Sequence, residues 1–221
     1  MTKQWVLVAL LVCILTLAGV PSRVGAAVPL RPQARATPVT LFRLSGRLAT
    51  ADFAALVDGC VYNEALVFVG ALTSQDAPGA PTATQRVSVL LSSRNLCTGE
   101  WPIYATGSTP LPTDGSPIDP QLTTAQVETP VVVTDSDTGA SYALALDLSW
   151  TGTGERSRSQ SHTHAHAPGC TTTFRHADIY RLAAVSGNLG NAAISFTASD
   201  LIFAQLHSLT SATIEVGCGG S

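Results

Sequence analysis

The stretch ALALDLSW, residues 143–150, alternates without a break: Leu144, Leu146, Leu148 and Trp150 against Ala143, Ala145, Asp147 and Ser149. Side chains turn over every second residue only in extended backbone, so this period predicts a strand with one face in a core and one in water. The same pattern recurs on either side of it. RVSVLLS (86–92) sets Val87, Val89 and Leu91 against Arg86, Ser88 and Ser92, and QVETPVVVT (126–134) puts Val127, Val131 and Val133 together. AAISFTAS (192–199) pairs Ile194 with Phe196, and SATIEVGC (211–218) aligns Ala212, Ile214, Val216 and Cys218. EALVFVGAL (64–72) is apolar on both faces, which predicts a central or doubly covered strand. SQDAPGAPTAT (74–84) and TDSDTGAS (134–141) carry the Gly, Pro, Asp and Ser of turns. A helical repeat is absent except in SDLIFAQLHSL (199–209), which reads either as a short helix capped by Ser199 or Asp200 or as an irregular strand. About eight to ten strands predict an all-β single domain, an antiparallel β-sandwich or a barrel-like meander.

The amino-terminal segment sets the compartment. Lys3 precedes an apolar run from Trp5 to about Ala18, followed by Gly19, Pro21 and the small-residue ending Val24-Gly25-Ala26. That layout predicts a secretory signal peptide over 1–26, cut after Ala26 or Ala27. The run is shorter than the roughly 20 apolar residues a membrane-spanning helix needs, so no span is expected after cleavage. Cys13 lies inside the apolar run behind Val12, where a lipoprotein signal would want Gly or Ala. Residues 27–40, rich in Pro, Ala and Arg, read as a disordered leader, and the folded domain is expected over 41–221. Losing Lys3 and Arg23 takes Lys plus Arg from 12 to 10 against 15 Asp plus Glu, a net charge of about −5. This balance argues against nucleic acid as a partner, which calls for clustered positive charge. The expected partner is extracellular or in the cell envelope.

Four cysteines then remain, an even number in an exported chain, which predicts two disulfides. They allow three pairings. LVDGCVYNEALVFVG (56–70) and LLSSRNLCTGEWPIYATG (90–107) both read strand, polar turn with cysteine, strand. As successive hairpins of a meander they bring both turns to one end of the sheet, which favours Cys60–Cys97 and leaves Cys170–Cys218. None of these cysteines shares a short zinc-ligand spacing with another.

TGTGERSRSQSHTHAHAPGC (151–170) has no alternation and is read as a long polar loop. His162, His164 and His166 would point the same way in extended backbone, a spacing able to hold zinc or copper. No acidic residue lies inside SHTHAHAPGC (161–170) to complete the ligand set, so no cofactor is assigned beyond that metal. In TTTFRHADIYRL (171–182), His176 and Asp178 fall on one face, and Ser195 would be needed to complete a catalytic triad with them. No G-x-S-x-G elbow supports that reading, and GNLGN (187–191) reads as a turn rather than a phosphate loop. Asp147 lacks an evident second carboxylate for glycoside hydrolysis. Tyr62, Trp101, Tyr104 and Trp150 are either core residues or platforms for sugars.

The segment LALDLSWTGTGERSRSQSHTHAHAPGC resembles secreted bacterial β-rich proteins of no assigned function, over about residues 125–200. The resemblance implies an exported β-protein and brings no catalytic residue with it. The expected function is a non-enzymatic secreted or envelope binding or structural protein. A divalent-metal-binding protein using His162, His164 and His166 is the alternative, and a secreted hydrolase is the third.

Overall fold

The structure is a computed structural model that describes residues 39–167 and 170–218. The expected signal peptide, and the leader up to residue 38, lie outside the described residues. The first strand, β1 (Val39–Val57), begins inside the segment expected to be leader. After it come β2 (Val61–Asp76), β3 (Thr82–Asn95), β4 (Ile103–Pro110), β5 (Thr124–Asp135) and β6 (Ser141–Ala167). They are followed by β7 (Cys170–Gly190), β8 (Ser195–Thr197), a single 3-10 turn (Ala198–Asp200) and β9 (Leu201–Cys218).

Neighbours in sequence pair antiparallel from β1 to β7; β9 then pairs with both β7 and β1. The β6–β7 ladder closes the ring, so eight strands form a barrel, with β8 attached to the end of β7. The barrel alternative, not the sandwich, is the architecture.

Alternation fills the interior in rows. Ala49, Val69 and Val87 face one another, then Ala51, Val67 and Val89, then Phe53, Ala65 and Leu91. Val127 lies opposite Leu148 and Val131 opposite Leu144, with Trp150, Phe196 and Leu206 completing the core. Ala49, Ala51 and Ala65 leave the room that Phe53 and Trp150 take up. The β4–β5 connection folds over one end and buries Ile118 and Leu122. Arg47 fastens it there, donating from Nη1 to Ser116 Oγ and to the Ile118 carbonyl, both at 3.1 Å. On β5 and β6 the inward residues are apolar while Gln126, Glu128, Asp147 and Thr151 face out. Among the described residues no helix is long and apolar enough to cross a membrane.

The weakest seam is β4–β5, joined through Ala105–Asp135 and Thr106–Thr134. Gly107 lets the strands cross closely there, since a Cβ would stand 2.0 Å from the Val132 carbonyl oxygen. The buried Asp135 side chain reinforces the seam: Oδ2 accepts from the Tyr104 N–H at 2.8 Å. Oδ1 accepts from the Thr138 N–H and hydroxyl in the following turn.

Both expected disulfides are present. Cys60–Cys97 joins two turns at one end of the sheet, with Cα atoms 5.4 Å apart. Cys170 and Cys218 are direct cross-strand partners, 4.0 Å apart at Cα. Three expectations need correction. GNLGN (187–191) is not a turn: residues 187–190 complete β7, paired with β6 and β8. Residues 151–167 are not a loop but the second half of β6, paired with β7 as far as Ala167–Cys170. The expected strand AAISFTAS shortens to β8. SDLIFAQLHSL takes its irregular-strand alternative: after one 3-10 turn over Ala198–Asp200, with Asp200 Oδ2 accepting from the Thr197 N–H, the chain is strand from Leu201.

Candidate functional site

The face of β1–β4 turned away from the main core carries the densest group of chemically active side chains. Register aligns them in rows: Phe203, Asp52 and Leu66; then Glu64, Ser92 and Tyr104; then Tyr62 and Arg94. Asp52 belongs here because β1 alternates, and its core-facing partners Ala51 and Phe53 leave it on the opposite side. Trp101 follows a turn built by Asn95, whose Oδ1 accepts from the N–H groups of Cys97 and Thr98. The Cys60–Cys97 bridge and the Leu96 N–H to Cys60 carbonyl bond hold that turn beside β2.

The Arg94 guanidinium stacks over the Trp101 ring at 5.2 Å, which orders the indole while leaving the side chain 57% exposed. Tyr104 and Phe203 are also open to solvent. Asp52 is half-buried, and its Oδ1 has no hydrogen-bond partner. Burial, and then the nearby Glu64 charge, push its carboxyl up to about 6. The Tyr62 phenol is raised by burial first, then by Glu64 and Asp52. A strand face that carries exposed aromatic rings, two carboxylates and a guanidinium in successive rows can hold an extended polyhydroxylated ligand. The rings cover its C–H faces while the charged groups bond its hydroxyls.

The other sequence candidates are dispersed. Trp150 is a core residue. His176 and Asp178 do not form the expected pair: Asp178 Oδ2 is bonded to His207 Nδ1 at 2.9 Å, while His176 Nδ1 has no partner. Burial lowers the His176 imidazole, against the raising effect of the Asp178 charge. Ser195 pairs with Gly190, roughly 40 Å along β7 from Asp178 at about 3.3 Å per residue, so no triad assembles. Asp147 does have a carboxylate neighbour, its cross-strand partner Glu128, and both are exposed on the barrel's outer surface. A cavity of about 420 Å³ lies one row beyond the Ala49–Val69–Val87 layer, lined in part by Arg47, Ala71, Gln85 and Ser116.

His162, His164 and His166 stand together on one exposed face of β6, with ring centroids 4.3 Å apart for the first pair and 6.3 Å for the second. Among the described residues, no three His, Cys, Asp or Glu side chains of the chain group as metal ligands. Sequence reading missed Asp52, Glu64, Arg94 and Phe203. Their common face depends on the register of four strands, and only the alternation of TADFAALV (50–57) hints at it. No protein family, curated protein or solved structure matches the chain.

Proposed function

We propose that this is a non-enzymatic extracellular binding protein, and that the β1–β4 face recognises carbohydrate. The reading rests chiefly on one arrangement: Trp101, exposed and stacked against Arg94, at the end of a strand face that also carries Glu64 and Asp52 in successive rows. The two disulfides suit an oxidising compartment, and the signal-like amino terminus supports export. The exposure of Trp101, Tyr104 and Phe203 favours binding over hydrolysis, which needs water excluded around the reacting bond.

Depletion from solution by insoluble cellulose, chitin and peptidoglycan tests this. One of these polysaccharides removes the protein, and Trp101→Ala weakens retention at least tenfold, about 1.4 kcal/mol. Retention of the variant equal to that of the wild type would refute the reading. Release of reducing sugar, lost in Asp52→Asn, would replace it with a glycosidase.

A further inference from the structure

We propose that the open edge of β6 is a metal-dependent pairing site for a second copy of this chain. A zinc-class divalent cation would be held there by imidazoles of His162, His164 and His166 from both copies. This site is separate from the β1–β4 face.

Three observations converge on it. First, β5 pairs with β6 no further than Thr151, the Gly152 N–H bonds the Thr123 carbonyl, and beyond Gly152 no strand among the described residues pairs with that edge. Residues 153–166 are all exposed. Second, natural edge strands discourage pairing with charged side chains or proline. Ser159–Ala167 contains no Asp, Glu, Lys, Arg or Pro, so imidazoles are its only ionisable side chains.

Third, the histidines are presented as ligands. His164 Nδ1 lies 3.1 Å from Thr173 Oγ1, and His166 Nδ1 lies 3.1 Å from Thr171 Oγ1. A ring whose Nδ1–H donates to a hydroxyl keeps its Nε2 lone pair for a metal, and the hydroxyl fixes the ring. Arg175, opposite His162, is engaged by Glu215 at 3.6 Å.

One chain offers too few convergent ligands, and a second copy supplies the rest. Antiparallel pairing of two β6 edges about His164 sets His164 against His164 and His162 against His166. Directly opposed side chains in such a pair stand about 5 Å apart at Cβ, close enough for one ion to take imidazoles from both strands. The overlap runs over residues 161–167, which keeps Arg156 and Arg158 clear of the second strand.

Sedimentation of the untagged protein with zinc chloride, and again after EDTA, is the test. Zinc doubles the mass and EDTA reverses it. His164→Ala weakens the association at least tenfold. Thr163→Lys/Ala165→Lys, which opposes lysines on the other face of the paired strands and keeps all three imidazoles, leaves the chain monomeric. Both substituted positions are exposed on β6. Unchanged mass with zinc, zinc bound to a chain that stays monomeric, or a dimer that survives loss of the histidines would each overturn the proposal.

Discussion

The indole N–H of Trp150 donates to the carbonyl of Thr50 at 2.9 Å across the barrel interior, joining β6 to β1 between residues 100 apart in sequence. Trp150 is 1% exposed, so neither partner has water as an alternative. Trp150→Phe leaves that carbonyl short of a donor and opens a void. The expected loss is about 2–3 kcal/mol of unfolding free energy, measured by urea titration.

Asp52 and Asp135 give opposite pH dependences. The Asp52 carboxyl is raised to about 6, so its contribution is most favourable below pH 4 and is lost as pH climbs through 6. Asp52→Asn therefore stabilises the fold at pH 7. The expected gain is about 1–2 kcal/mol, discounted for partial exposure, and it vanishes near pH 4. Paired melts at pH 4 and pH 7 check this.

The Asp135 carboxyl is held down to about 2, first by the Tyr104 N–H, then by the Thr138 N–H and hydroxyl. Its contribution is present above pH 4 and is lost as pH falls through 2. Asp135→Ala removes the side-chain bond at the β4–β5 seam. Hydrogen exchange at Tyr104 and Thr106 is expected to accelerate by at least tenfold, with smaller changes in β6 and β7.

Cys170→Ser/Cys218→Ser unfastens the tip of the β6–β7 hairpin from β9. The expected cost is about 2–4 kcal/mol. Loss of exchange protection is expected to concentrate in residues 157–180, and limited proteolysis to cut there first.

Legibility in the sequence followed solvent asymmetry. Leu144 to Trp150 could be read as strand because one face is dry and the other wet. From Thr153 to His166 both faces are wet, so the same strand continues with no period to betray it, held by main-chain pairing with β7 and the nearby disulfide. The cysteine pairing was legible because a meander returns alternate turns to the same end. The β1–β4 face was not. Asp52, Glu64, Arg94 and Phe203 come from four different segments, and only register makes Asp52 a neighbour of Phe203.

Beyond residue 38 the chain has two tryptophans, Trp101 in the open and Trp150 in the core, so iodide quenching of fluorescence reports on Trp101. The most direct measurement is that quenching during titration with soluble oligosaccharides of the retained polysaccharide. Saturating sugar is expected to shield Trp101 from iodide and shift its emission to the blue, with neither change in Trp101→Phe. Saturable sugar binding that leaves Trp101 as accessible to iodide as before would contradict carbohydrate recognition by the β1–β4 face.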